Sequence, residues 1–147
     1  MALDSRLESA WWTLRLGLGI VPIVAGLDKF FNLLTNWEMY LHPLVPRLLH
    51  LSPSAFMHIV GVIEIGAGIL VLSRLTRYAA YIVMVWLWAI SLNLIAQGRF
   101  LDIAARDVLI SLGAFALAKL SKVRESREAT EEVRYKGTVP EGARRMA

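Results

Sequence analysis

The chain has 147 residues, of which 56% are hydrophobic, and a formal net charge of +4. With a mean hydropathy of +0.53 it is too apolar for an ordinary soluble domain, and its length corresponds to one domain. The absence of cysteine excludes disulfides, thiolate metal sites and dithiol redox chemistry. The basic excess does not indicate a nucleic-acid partner, because lysine and arginine cluster at predicted helix ends and in the C-terminal tail.

Four apolar segments are each long enough to cross a bilayer as a helix, and they cover about residues 9–34, 53–73, 75–96 and 101–120. Charged residues interrupt the first segment, so it is not expected to be a cleavable signal peptide. The sequence predicts an all-α fold: a four-transmembrane-helix bundle with an interfacial segment between helices 1 and 2. Residues 1–120 form the predicted transmembrane domain, and residues 121–147 form a charged cytoplasmic tail.

The distribution of lysine and arginine predicts the orientation. With four spans, the N-terminus, the turn between helices 2 and 3 and the tail share one side, which carries most of the basic residues. The opposite side has only Lys29, Arg47 and Arg99. The positive-inside rule then predicts an integral protein of a bacterial inner membrane with both termini in the cytoplasm.

Glu64 lies near the middle of the second apolar segment, within the sequence Gly-Val-Ile-Glu-Ile-Gly-Ala-Gly. A carboxylate at this depth costs about 2.5–3.5 kcal/mol even on insertion scales, so it is expected to face protein, water or a ligand rather than lipid. Small residues flank it at helical spacing, which favours close approach of a neighbouring helix. A matching stripe on helix 1 contains Arg15, Gly19, Pro22, Gly26 and Lys29.

The predicted bundle interior brings Lys29, Glu64, Arg106 and Asp107 together in the outer half of the membrane. Arg106 is favoured over Lys29 as the ion-pair partner of Glu64, although Asp102 is four residues from Arg106 and can also pair with it. Two interpretations of Glu64 stay open: a structural ion pair that fixes helix register, or a role in ligand binding or proton relay. Lys29 and Asp28 equally suit a simple anchor at the helix end.

The remaining candidates have both functional and structural interpretations. His58 and Asn93 lie near the outer ends of helices 2 and 3 and are candidate ligand-binding or proton-relay residues. His58 also suits a hydrogen-bonded interfacial position, and no second histidine has metal-ligand spacing, so no metal site is expected. Trp86 and Trp88 are candidate walls of a ring-binding pocket or simple packing residues. Arg15 is expected to extend to lipid phosphates, and no residue is singled out as catalytic.

The order of these motifs resembles the DoxX-like family of small four-helix membrane proteins. The resemblance covers about residues 11–120 and is carried by Arg15, the Gly-Leu-Asp-Lys sequence ending at Lys29, the aromatic first loop and Glu64 among glycines. It is also carried by the basic turn at residues 73–77 and by Ala-Arg-Asp-Val-Leu at residues 105–109. The family includes membrane subunits associated with thiosulfate:quinone oxidoreductase and other redox complexes.

The resemblance implies an accessory or quinone-binding subunit of a membrane oxidoreductase or electron-transfer complex. The expected partners are the lipid bilayer and other membrane-protein subunits, quinone is the expected ligand, and any electrons come from a partner. One alternative is a purely structural assembly subunit, and another is a small proton-coupled transporter in which Glu64 titrates. The tail, with basic residues at 124, 127, 134, 136, 144 and 145, is expected to dock on a cytoplasmic partner subunit.

Overall fold

Helices account for nearly all of the regular structure in the computed structural model, which describes residues 2–138 and the side chains of residues 6–135. The described region contains no β-strand. The helices are α1 (Ala2–Asp28), α2 (Leu44–Leu49), α3 (Pro53–Leu72), α4 (Thr76–Gln97) and α5 (Leu101–Thr138), with a 3-10 turn at Trp37–Tyr40. The all-α prediction is confirmed.

Three helices are long and apolar enough to cross a membrane: α1 from Arg6 to Asp28, α3 and α4. They correspond to the first three predicted spans. The start of α3 follows the sequence closely, because the Ser52 side chain accepts a hydrogen bond from the Ala55 N–H and Pro53 occupies the first turn. The end of α1 differs from the prediction: the helix stops at Asp28 rather than continuing to residue 34.

The helices pack as two close pairs, α1 with α3 and α4 with α5. Glycines permit the close approach of α1 and α3. A Cβ atom added at Gly26 would lie 2.6 Å from the Gly61 carbonyl oxygen, and one added at Gly61 would lie 2.6 Å from the Gly26 carbonyl oxygen. The predicted small-residue stripes therefore face each other and set the register of this pair.

The two pairs meet through an apolar core in the half of the bundle that holds the start of α1. This core contains Trp11, Leu18, Ala67, Val71, Ala79, Ala80, Val83, Ala114, Leu117 and Ala118. Small residues dominate on α4 and α5, which lets their backbones approach closely. The hydroxyl of Ser91 on α4 donates to the Ala104 carbonyl of α5 at 3.2 Å, adding a polar link to this contact.

Arg15 closes the same end of the bundle. Its guanidinium donates to the carbonyl oxygens of Val71, Leu72 and Ser73, at 3.3, 2.6 and 2.8 Å. These carbonyls lie at the end of α3, where the last turn of a helix lacks intrahelical donors. The expectation that Arg15 extends to lipid phosphates is therefore wrong: the side chain turns inward and caps α3.

Helix α5 continues through residue 120 without a break. Its 38 residues span about 57 Å at 1.5 Å per residue, so it extends well beyond its apolar part. Contacts tie the charged extension to the bundle: Trp11 Nε1 donates to Ser121 Oγ at 2.8 Å, and Arg124 pairs with Glu8 at 3.2 Å. The division between a domain and a tail at residue 120 stays a prediction, and Arg144 and Arg145 lie outside the described residues.

Candidate functional site

A buried ion pair joins α1 to α3. The Lys29 Nζ atom lies 2.5 Å from Glu64 Oε2, and the two side chains are only 4% and 10% exposed. The prediction that Glu64 pairs with a basic residue of helix 1 or 4 is confirmed, but the preference for Arg106 over Lys29 is wrong. Because the two opposite charges are in contact, their attraction offsets part of the free-energy cost of removing both from water.

Local structure brings the two charges together. Lys29 follows α1 directly and retains a backbone hydrogen bond from its N–H to the Ala25 carbonyl at 3.2 Å, so its side chain keeps a helical direction. The backbone contact between Gly26 and Gly61 holds α1 against α3 one turn away from the pair. The Lys29 side chain therefore reaches Glu64 directly across the α1–α3 contact.

Asp28 organises the connection that follows α1. Its carboxylate accepts hydrogen bonds from the backbone N–H groups of Leu33 and Leu34 and from Trp37 Nε1, at 2.9, 3.1 and 2.8 Å. The indole held in this way covers Lys29, whose Nζ lies 3.6 Å from the Trp37 ring centroid. A cation over an indole face is attracted by the ring quadrupole, so Trp37 is a second partner of the ammonium group.

Trp86 and Trp88, the two candidate wall residues, occupy different environments. Trp88 is 47% exposed on the outer surface of α4, and its assignment as a pocket wall stays a prediction. Trp86 packs beside a small apolar cluster formed by Leu41, Met57 and Val60. Its buried indole N–H lies within hydrogen-bonding reach of the Glu64 carboxylate, although the geometry of that contact falls short of a standard hydrogen bond.

Arg106 and Asp107 are separated by their positions on α5. Asp107 is half-buried and has both Glu64 and Arg106 as electrostatic neighbours, so it borders the ion pair. Arg106 is exposed and forms no ion pair with any described side chain, including Asp102. The predicted interior therefore contains Lys29, Glu64 and Asp107 but not Arg106, because consecutive residues point about 100° apart on a helix.

His58 and Asn93 have structural partners. The His58 ring stacks on Phe30, with ring centroids 4.9 Å apart and planes 7° apart. Asn93 uses both ends of its amide on one backbone segment: Nδ2 donates to the Tyr40 carbonyl at 2.7 Å, and Oδ1 accepts from the His42 N–H at 3.1 Å. Asn93 thus fixes the connection between α1 and α3 onto α4.

Sequence reasoning missed the roles of Asp28 and Trp37. Asp28 was considered only as an end anchor, although a carboxylate at the end of a helix can also bind the N–H groups of the turn that follows it. Trp37 belongs to the aromatic first loop, and no local pattern indicates that it covers a lysine eight residues earlier. That contact depends on the fold of the whole connection.

A family model, DoxX, matches residues 10–94, which include α1, Lys29, Glu64, Trp86 and almost all of α4. No curated protein matches the chain. No solved structure matches it either. Since the match covers more than half of the sequence, the chain belongs to the DoxX family of small membrane proteins.

Proposed function

We propose that the protein is an accessory, quinone-binding subunit of a membrane oxidoreductase, with the quinone headgroup held beside the Lys29–Glu64 pair. The observation that carries this proposal is the indole N–H of Trp86, which is buried and has only a poorly aligned contact with the Glu64 carboxylate. Buried donors almost always form well-aligned hydrogen bonds, so a weakly engaged donor beside a polar cluster suits an additional acceptor. A quinone carbonyl oxygen is such an acceptor.

The surroundings of Trp86 suit the rest of a headgroup. Trp37 and Phe56 join Trp86 around the cluster of Leu41, Met57 and Val60, so that flat aromatic rings and apolar side chains lie next to the charged pair. Ligand sites commonly combine an apolar lining with a few polar groups that fix orientation. Here the polar groups are Trp86 Nε1, the Lys29 ammonium and the Glu64 carboxylate.

The charged groups suit proton movement at the headgroup. A bound quinone takes up two electrons and two protons on reduction. Lys29 can donate a hydrogen bond to a carbonyl oxygen, and Glu64 can hold a proton, with half-buried Asp107 beside it as the next carboxylate. The chain has no cysteine with which to carry electrons, so in this proposal a partner subunit supplies them.

The same proposal includes four membrane spans and cytoplasmic termini. The apolar part of α5 packs along α4 and exposes the large side chains Leu109, Ile110, Leu112 and Phe115, as a lipid-facing surface requires. The end of the bundle that holds the start of α1 carries Arg74, Arg77, Lys119, Lys122 and Arg124. The positive-inside rule favours the cytoplasm, here of a bacterial inner membrane, for that end.

One alternative has specific support. Lys29 and Glu64 neutralise each other, and such a pair can serve only to fix helix register and assembly. In that case the protein is a structural subunit and binds no ligand at the pair. The proton-coupled transporter has weaker support, since it rests only on the neighbouring carboxylates of Glu64 and Asp107.

Purification in native lipid nanodiscs tests the proposal. Mass spectrometry of the lipids and proteins that copurify is expected to show quinone above its level in empty nanodiscs, together with partner subunits. The variant Trp86→Phe removes the indole donor and should lose the quinone, whereas Trp88→Phe, on the exposed face of the same helix, should retain it. Partner subunits at full stoichiometry with no quinone enrichment would favour the structural alternative.

A further inference from the structure

The connection between α1 and α3, residues 30–51, is a folded cap rather than a free loop. Asp28 holds its beginning through the hydrogen bonds to Leu33, Leu34 and Trp37. Asn93 of α4 holds its middle through Tyr40 and His42, and Leu41 is buried against Met57 and Val60 of α3. The cap is therefore fixed to three helices.

The inner surface of the cap closes the end of the polar site. Trp37 lies directly over the Lys29 ammonium, and protein atoms alone leave Lys29 only 4% exposed. The shielding of Lys29 is thus a property of the protein itself. Water on the side of the membrane where α1 ends meets Trp37 before it meets the ion pair.

The outer surface of the cap is largely apolar, and Glu38 and Arg47 are its exposed charged residues. Its most exposed large side chains are Phe31, Leu33, Leu34, Leu44 and Leu48, at 70%, 83%, 68%, 63% and 80%. Isolated exposed leucines are ordinary, but a group of this size on one short segment marks an interaction surface. The adjoining parts of α1 and α3 are themselves apolar enough to span a membrane, and they also expose large apolar side chains such as Leu27 and Ile59.

We propose that the cap lies within the outer lipid leaflet and separates the Lys29–Glu64 pair from the outer aqueous phase, so that a ligand enters the site from the lipid. Apolar side chains on short interfacial helices bury about 5–10 Å into the boundary between headgroups and acyl chains. The continuity of the apolar surface favours lipid over an aqueous protein partner as its occupant. The part concerning ligand entry rests on the proposed quinone site and the choice of the outer side rests on the proposed orientation, whereas the insertion of the cap into lipid rests on neither.

Spin labelling measures the depth of the cap. The chain has no cysteine, so single cysteines at Leu33 and Leu48 can each carry a nitroxide in nanodiscs without further changes. Both positions are expected to be relaxed more strongly by lipid-soluble oxygen than by a water-soluble nickel chelate. Arg99, exposed in the short α4–α5 connection, is the control and should show the opposite preference. Nickel access at Leu33 and Leu48 equal to that at Arg99 would overturn the proposal.

Lysine modification tests whether Trp37 shields Lys29 from water. A water-soluble amine-acylating reagent applied to nanodiscs should modify Lys119 and Lys122, which are exposed, at least tenfold faster than Lys29. Trp37→Ala should raise the rate at Lys29 toward that of the exposed lysines, and Trp88→Ala should leave it unchanged. Fast modification of Lys29 in the unaltered protein, or no change in Trp37→Ala, would show that Trp37 does not close the site. Neither experiment uses quinone, so its result is independent of the quinone-binding test.

Discussion

Lys29 and Glu64 are 35 positions apart in the chain and meet at 2.5 Å inside the bundle. Lys29 lies at the end of α1 and Glu64 in the middle of α3, so the pair can form only in one register of the two helices. The glycine contact between Gly26 and Gly61 selects the same register. Electrostatics and backbone packing therefore specify one arrangement of α1 and α3.

Removal of either charge should destabilise the protein. Lys29→Met and Glu64→Leu should each lower the free energy of unfolding by about 3–5 kcal/mol, because each leaves an uncompensated buried charge. The double variant leaves none, so its loss should be clearly smaller than the sum of the two single losses. Denaturant unfolding in mixed micelles measures the free energy of unfolding of the unaltered protein, the two single variants and the double variant.

Arg106 provides the matched control for that cycle. It is exposed and forms no ion pair with any described side chain, so Arg106→Ala should change stability little. Its effect should add to that of Glu64→Leu, since the two residues do not share a contact. Coupling between Arg106 and Glu64 as strong as that between Lys29 and Glu64 would contradict the observed pairing.

Alanine at the helix contact should separate α1 from α3. Gly26→Ala and Gly61→Ala should each destabilise the protein by about 1–3 kcal/mol, because the new methyl group meets the facing backbone. Gly17 and Gly66 have nothing within 4 Å of an added Cβ atom and serve as controls in the same two helices. Alanine there should be neutral or stabilising by about 0.5–1 kcal/mol, as in other helix interiors. Equal thermal shifts for both sets would argue against close packing at Gly26 and Gly61.

The membrane orientation has a direct test. Reporter fusions at Ala147 and in the Arg74–Arg77 turn should both give a cytoplasmic signal, and a reporter near Arg47 should give an external one. The reason is the excess of lysine and arginine at one end of the bundle. A cytoplasmic signal at Arg47 would be incompatible with four spans in this orientation.

Truncation should separate the contribution of the α5 extension to stability from its contribution to the binding of a partner. A chain ending at Glu128 keeps the contacts of Ser121, Arg124 and Glu125 with the bundle, so it should melt at a higher temperature than a chain ending at Leu120. A chain ending at Leu120 should still fold but melt at a lower temperature, because Trp11 loses its acceptor. Both truncations should weaken copurification of a cytoplasmic partner; undiminished partner recovery after both would show that the extension is not a docking element.

Periodicity and composition were sufficient to predict most of the fold. The spans over α3 and α4 follow from apolar length and from the Ser52-Pro53 start, because these signals are local. The end of α1 could not be placed, since it depends on Asp28 binding the backbone of a turn several residues later. Apolar length indicates the end of the apolar part of α5 near residue 120, but it does not indicate that the charged helix continues to Thr138. Its extension is stabilised by pairs such as Arg124 with Glu128.

The sequence predicted which residues form the site better than it predicted which of them pair with one another. A carboxylate in an apolar span requires a counter-charge, which correctly predicted that Glu64 is paired. The choice between Lys29 and Arg106 as the partner of Glu64 depends on how α5 is rotated about its axis. No local sequence pattern indicates that rotation. Arg15 was misassigned for a related reason: its acceptors are carbonyls of another helix, which no spacing within α1 reveals.

Quinone binding at the ion pair is the central claim, and a fluorescence titration tests it most directly. A short-chain ubiquinone added to nanodiscs should quench tryptophan emission saturably, because Trp37 and Trp86 lie against the proposed headgroup position. The saturable component should disappear in Lys29→Met and persist in Arg106→Ala, whose side chain lies outside the site. Quenching that stays linear in quinone concentration and is the same in all three proteins would reflect partition into lipid alone and would contradict the claim.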